Sequence, residues 1–427
     1  MSDIKLTHCR VDVTLEFGIV HTEELIPHLF RTEYSRITAV LGKLFGFEQI
    51  EAAEDIASET FLSALETWSF KGIPENPTAW LYAVAKNKAR NYVKRKNLFN
   101  EKIAGQINYS APHDWEPDID LSDKHITDSQ LAMLFAVCHP SISVESQIGL
   151  ALRILCGFGI EEIADAFLTT KETINKRLFR ARETLRRENV KIELPGEAEI
   201  DKRLGAVLTT LYLLFSEGYY SESQTPVLRE DLCQEAMRLT YLLVENEQTN
   251  KPPVNALLAL MCFHSSRFKA RKNNNGEFVL YQDQDETLWD RELITKGVIL
   301  LRQASQGNEL SKYHLEASIA FWHTIKEDTR EKWDNILQLY DQLLLIEYSQ
   351  IAALNRTYAL AKARGNAEAI PDAKKLNLVN NHFYFILLGD LYKDIDKDEA
   401  KENLRKALAL AKTSTDKQTI QKRIDQL

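Results

Sequence analysis

The chain is 427 residues long, 44% hydrophobic and carries a net charge of −9, enough for two to four domains at roughly 100 to 200 residues each. The acid excess excludes a general nucleic-acid coat, because that binding comes from Lys and Arg neutralising phosphates. With no run of about 18 apolar residues and no basic-then-apolar leader in MSDIKLTHCRVDVTLEF, the sequence predicts a cytoplasmic protein without a membrane span.

From about Glu23 to Asn97 the apolar spacing is helical, as in Leu25, Leu29, Ile37, Val40, Leu41 and Leu44, then Ile56, Phe61, Ala64, Leu65 and Trp68. Three or four helices fit. EAAEDIASETFLSALETW (Glu51 to Trp68) is amphipathic, with Glu54, Asp55 and Glu59 on its polar side. KGIPENP (Lys71 to Pro77) forces a turn, and a new helix starts near Thr78. That helix, TAWLYAVAKNKARNYVKRK, combines Trp80, Tyr82 and Tyr92 with Lys86, Lys88, Arg90, Lys94, Arg95 and Lys96. Aromatic faces stack on unpaired bases while interleaved cations follow the backbone, a pattern suited to single-stranded DNA. Trp80, Ala83, Val84 and Asn87 equally fit a core stripe.

Between about Leu98 and Ser122 periodicity disappears, and His113 to Asp123 (HDWEPDIDLSD) collects five carboxylates, the composition of an acidic linker. Helical spacing returns from Thr127 to Glu188, with breaks at His139-Pro140, Gly157-Phe158-Gly159 and Leu168 to Thr170, which gives a four-helix unit. Its last two helices, IEEIADAFLTTKETINKRLFRARETLRR (Ile160 to Arg187), form a helix-turn-helix pattern. Ile163, Ala164 and Phe167 line one helix; Ile174, Leu178, Ala181 and Leu185 line the other. The opposite face carries Lys171, Thr173, Asn175, Lys176, Arg177 and Arg180, placed for the major groove, with Arg182, Arg186 and Arg187 trailing toward phosphates.

Beyond Pro195-Gly196 nearly everything to Leu427 reads as helix. Leu343 to Ile370 and Tyr384 to Ala411 resemble two helical hairpins about one tetratricopeptide period of roughly 34 residues apart. The five cysteines, Cys9, Cys138, Cys156, Cys233 and Cys262, are scattered without a CxxC pair, and Cys138-His139 lacks a second ligand pair, so no metal site is predicted. No phosphate loop, nucleophile elbow or HExxH is present, and His264, His314 and His323 stand isolated. The sequence predicts neither an enzyme nor a cofactor.

Taken in order, the AEDIASETFLSALETW helix, the Pro-containing loop, the basic aromatic helix, the acidic linker and the helix-turn-helix resemble RNA polymerase sigma factors of the extracytoplasmic-function, sigma-70-like group over about Leu25 to Arg187. The resemblance implies that Glu54, Asp55 and Glu59 dock on the clamp coiled coil of the polymerase largest subunit. The loop Ser69 to Pro77, with Trp80, Lys86, Asn87, Arg90, Lys94 and Arg95, matches the part that captures a flipped base and melts the −10 element. Thr173, Asn175, Lys176, Arg177 and Arg180 match the −35 reader, joined by Lys171. Leu168 occupies a turn position where the family commonly has glycine, which leaves open a wider turn or a different backbone. Asn91 stands where an acid is common.

Downstream, Leu211 to Ser223, Asp231 to Leu243 and Pro252 to Arg271 resemble the long C-terminal extension of one subgroup. Phe215, Glu217, Gly218, Tyr219 and Tyr220 suit either a contact loop or a packed helix end with Gly218 as C-cap. The expected architecture is all-α. A region 2 domain (22–97), an acidic linker (98–126) and a region 4 helix-turn-helix (127–190) precede a tetratricopeptide-like regulatory extension (197–427). The implied partners are core RNA polymerase through its largest and second-largest subunits, double-stranded and melted promoter DNA, and a protein or small-molecule signal on the extension. The rival is a helix-turn-helix transcription regulator on a helical-repeat scaffold that never joins polymerase; it leaves residues 51–96 without a task.

Overall fold

A computed structural model of the chain describes residues 22–104, 119–219, 229–271, 279, 281–411 and 414–427. All regular structure among the described residues is helical, with no strand, as the 3.6-residue periodicity predicts. The chain divides into two units, and each follows from its own apolar rows. The first holds residues up to Ala136 together with Ala151–Gly159 and Arg186–Glu193; the second holds Val137–Leu150, Ile160–Leu185 and Leu194–Leu427.

In the first unit α1 (Thr22–Phe45), α2 (Ile50–Lys71), α3 (Pro77–Ala104) and α4 (Asp123–Val137) enclose a core of Tyr34, Ile37, Leu41, Ile50, Phe61 and Trp68. The proline at the first position of α3 needs no donor there, and Asn76 Oδ1 accepts from the Ala79 amide at 2.9 Å to close the N-terminus. The buried row of α3 is Leu81, Ala85 and Ala89, whose small members allow close approach to α1 and α2. The alternative stripe does not form: Ala83 and Asn87 are exposed, and Trp80 is half-buried. LFNEKIA contains no Gly or Pro, so α3 runs on to Ala104 instead of giving way to the linker at Leu98. Residues 105–118 of that linker lie outside the described residues. At its far end Ile119 and Leu121 are buried, and Asp120 Oδ1 accepts from the Ser122 amide at 2.8 Å. A π-helical turn at Ala151–Leu155, closed by Cys156 N donating to Ala151 O at 3.1 Å, also packs in this unit against α1.

The second unit begins with α5 (Val144–Leu150), α6 (Ile160–Ala166) and α7 (Lys171–Arg187). Ile163 and Ala164 are buried on α6, and Ile174, Leu178, Ala181 and Leu185 on α7, as their spacing requires. Leu168, in the turn between α6 and α7, has φ 48°, so the turn keeps a left-handed backbone with a leucine in place of glycine. Then follow α8 (Glu197–Tyr219), α9 (Glu230–Glu245), α10 (Pro252–Ser265) and α11 (Arg291–Ala304). α10 is apolar on every side and buried, with Leu257 and Phe263 fully enclosed. Gly218 lies inside α8 and not at a C-cap. A Cβ there would come within 2.7 Å of both Arg229 O and Cys233 Sγ, so its role is to let the start of α9 approach. Phe215 and Tyr219 are buried beside it, a packed helix end, while Tyr220 lies outside the described residues.

The chain closes with α12 (Lys312–Trp322), α13 (Arg330–Ile346), α14 (Gln350–Arg364), α15 (Asn366–Leu376), α16 (His382–Tyr392), α17 (Lys397–Leu410) and α18 (Ser414–Asp425), each packed on the next. Thr329, Ser349, Asn381 and Asp396 cap four of these helices through their side chains. α12 to α16 share one core, with Trp333, Ile336, Ala359, Ala369 and Leu388 buried. Gly389 is required where α16 meets α17, because a Cβ would sit 2.7 Å from Leu404 Cγ.

Candidate functional site

The first unit presents two surfaces built on α2 and α3. On α2 the three acids separate by direction. Asp55 and Glu59 are exposed, whereas Glu54 is 5% exposed and accepts from Arg153 Nε at 2.9 Å. Arg153 is also bonded to Phe158 O at 3.2 Å, so Glu54 closes a buried polar network. Glu51, on the same helix, forms an ion pair with Arg186, which also donates to Phe47 O at 2.8 Å. Glu54 thus does structural work, while the outward face of α2 keeps Asp55 and Glu59 and adds Leu62, Glu66 and Phe70, with Leu65 beside them, which the sequence did not single out as surface. Phe70 is 91% exposed, so this face mixes carboxylates with uncovered apolar surface. The available signal was helical spacing from Asp55, at i+4, i+7, i+11 and i+15.

On α3 the aromatic and basic residues also separate. Tyr82 donates to Glu33 Oε2 at 2.5 Å, and Glu33 takes a second bond from Arg36 at 3.2 Å. Burial and the Glu33 carboxylate push the Tyr82 hydroxyl well above its usual range, so it stays a neutral donor. Tyr92 donates to Gln49 Oε1 at 3.2 Å and packs on Phe45. Both tyrosines therefore tie α3 to its own unit. Trp80 packs edge-on against Trp68 at 5.4 Å, at the start of α3 beside the Gly72–Asn76 loop. Lys86, Arg90 and Lys94 fall at i, i+4 and i+8, a single row, with Asn87 and Arg95 exposed next to it. Lys88 is held apart by an ion pair to Glu59 at 3.1 Å.

In the second unit Thr170 accepts from the Thr173 amide at 3.2 Å and bonds the Thr173 hydroxyl at 3.1 Å, so Thr173 belongs to the helix cap. Lys171 is ion-paired to Glu161, and the Arg177 guanidinium lies 5.6 Å from the Phe167 ring. That leaves Asn175, Lys176 and Arg180 exposed, without a hydrogen bond or ion pair to any described residue. Phe179, 62% exposed between Leu178 and Arg180, joins them; it stood out only as an apolar residue off the buried row. Within the same unit the buried Gln147 side chain of α5 donates to His139 O and Ile142 O, both at 3.1 Å, and accepts from the Thr210 hydroxyl of α8 at 2.8 Å. Cys138 is buried nearby, and burial pushes its thiol up to about 12.

Among the described residues no helix is long and apolar enough to cross a membrane. A family model described as Sigma-70 region 2 matches residues 29–98, and one described as Family of unknown function (DUF6596) matches residues 203–305. The chain is 29% identical over 152 residues to the ECF RNA polymerase sigma-E factor of Haemophilus influenzae, covering 34% of this chain and 79% of that protein. It is 31% identical over 393 residues to the Uncharacterized protein R00370 of Rhizobium meliloti, covering 89% of this chain and 91% of that protein. No solved structure matches. The stretch formed by α1, α2 and α3 is thus similar to region 2 of sigma-70-like factors. The chain belongs to the same family as the Rhizobium meliloti protein.

Proposed function

We propose that the chain is a sigma factor of the extracytoplasmic-function type that joins core RNA polymerase and directs it to promoters. The observation that carries this is the outward face of α2, where Asp55 and Glu59 lead into exposed Leu62, Leu65 and Phe70. Such a mixed acidic and apolar strip suits a basic, partly apolar coiled coil such as the polymerase clamp, and it is the surface a DNA-only regulator would not need. The loop after α2, Trp80 and the Lys86, Arg90 and Lys94 row then act on the −10 element, with Asn87 and Arg95 alongside. Asn175, Lys176 and Arg180 read −35 bases, while Lys171, Thr173 and Arg177 support the helix that carries them. The role needs no catalysis and no cofactor.

The extension from α8 onward regulates this activity in the proposal. What supports that is the Thr210 to Gln147 bond, which ties α8 to the helix preceding the helix-turn-helix, and the Gln147 bonds that order the His139–Ile142 turn. A change in the extension can therefore reach the bundle that holds α7. The test is capture of core polymerase by the full chain at low salt, compared with a Leu62→Glu, Phe70→Glu double variant. Capture by the wild type and at least tenfold weaker capture by the variant are expected. No capture by the wild type would sink the reading, and equal capture would move the docking face elsewhere.

A further inference from the structure

The α10 to α13 region of the second unit contains a cationic, aromatic nest that the sigma reading leaves unused. At its centre is Arg267, 8% exposed, whose buried Nε finds no acceptor and whose side chain forms no hydrogen bond or ion pair with any described residue. A buried guanidinium without a carboxylate is costly, and native structures supply such a group with a partner. Its surroundings add positive charge. The Arg267 Cζ lies 5.4 Å from the Tyr281 ring, and the ammonium groups of Lys326 and Lys332 lie 5.9 Å and 5.2 Å from the same ring. Three cations therefore converge on one aromatic side chain.

The nearby acids do not neutralise Arg267. Asp328 is engaged by Lys362 and by the Trp333 indole, and Glu286 and Glu327 are exposed. Lys326 and Lys332 are fixed by carbonyls: Lys326 donates to Gln282 O at 3.1 Å and Lys332 to Ile325 O at 2.5 Å, so they are held in place without being discharged. Further buried polar atoms in the same neighbourhood lack partners, namely His264 Nδ1, His323 Nδ1 and Trp289 Nε1. The His323 ring packs edge-on to Tyr281 at 5.2 Å, and Trp289 lies 6.3 Å from it. Burial, followed by the Arg267 charge, holds both histidines far below their ordinary range, with His323 at about 3, so each is a neutral imidazole that can donate one N–H. Donors and positive charge thus gather at Arg267, where no described acid pairs with it.

We infer that this nest is a binding site for a small oxyanion, a phosphate- or carboxylate-bearing ligand whose oxygens pair with the Arg267 guanidinium beside Tyr281. The planar guanidinium fork matches two oxygens of either group, and the ligand would satisfy the orphaned donors together. The inference stands apart from the sigma assignment, since it concerns only residues of the extension.

Thermal unfolding of the full chain, titrated with inorganic phosphate or acetate against chloride at matched ionic strength, tests it. A ligand of the folded state at about a hundred times its Kd raises the midpoint by roughly 5 °C. Such a rise with phosphate or acetate beyond that of chloride is expected, and which of the two produces it identifies the ligand chemistry. Arg267→Met should weaken the effect at least tenfold. As a readout that does not depend on that variant folding, the difference in tryptophan fluorescence between wild type and Trp289→Phe should titrate with the same midpoint. Stabilisation no greater than with chloride, an undiminished effect in Arg267→Met, or a Trp289 signal that ignores the anion would each overturn the site.

Discussion

Replacing Glu54 by Ala should destabilise the first unit while leaving the outward face of α2 intact. The carboxylate is 2.9 Å from Arg153 Nε, with side-chain exposures of 6% for Glu54 and 25% for Arg153. Removing one member of a fully buried ion pair costs about 3 to 5 kcal/mol. Arg153 keeps its bond to Phe158 O and some access to water, which reduces the expected loss to about 2 to 3 kcal/mol. Glu59→Ala, in an exposed pair with Lys88, should cost only about 0.5 kcal/mol. Because a chain of two units need not unfold in one step, the assay is amide exchange of α2 peptides in the full protein across a urea series. A double-mutant cycle with Arg153→Ala should give a coupling of about 1 to 3 kcal/mol. If Glu54→Ala proves no more costly than Glu59→Ala, or the cycle shows no coupling, the structural role of Glu54 is refuted.

Further outcomes follow from other sites. Leu168→Gly relieves a left-handed leucine, so urea unfolding should show a gain of about 0.5 to 1 kcal/mol; a loss would contradict the turn geometry. Burial pushes the Glu316 carboxyl up to about 7, with the Tyr212 hydroxyl 3.4 Å away. Since the folded value exceeds the unfolded one, this group's contribution is fully present below about pH 4.5 and is lost as pH rises through 7. Glu316→Gln should therefore flatten the pH dependence and raise stability at pH 8 by at most about 3 kcal/mol, read from urea midpoints at pH 5.5 and 8. Arg180→Ala should weaken binding to a −35 duplex by about 1 to 3 kcal/mol in a fluorescence titration; unchanged affinity would remove this face of α7 from DNA reading.

Much of the fold was legible because its signals are local. The Ile174, Leu178, Ala181 and Leu185 row, the breaks on either side of α6 and the proline start of α3 need only neighbouring residues to specify them. The surfaces were less legible because their partners are distant in sequence. Glu54 and Asp55 are adjacent acids on one helix, and what turns one inward is Arg153, 99 residues away. Leu65 counts as apolar in any periodicity, yet it is exposed, and together with Leu62 and Phe70 it forms the mixed face of α2. Tyr82 and Tyr92 looked free to stack until Glu33 and Gln49, from α1 and the turn after it, claimed their hydroxyls. Arg267 carries no local signal at all, since its lack of a partner is a property of the packed extension.

Reconstituted run-off transcription tests the central claim most directly. Core RNA polymerase supplemented with the full chain should initiate at discrete sites on genomic fragments, giving defined transcripts that core enzyme alone does not make, and the Leu62→Glu, Phe70→Glu variant should abolish them. Transcription no different from core enzyme alone, from a chain that still binds the same fragments, would contradict the sigma role and leave a helix-turn-helix regulator that acts without joining polymerase.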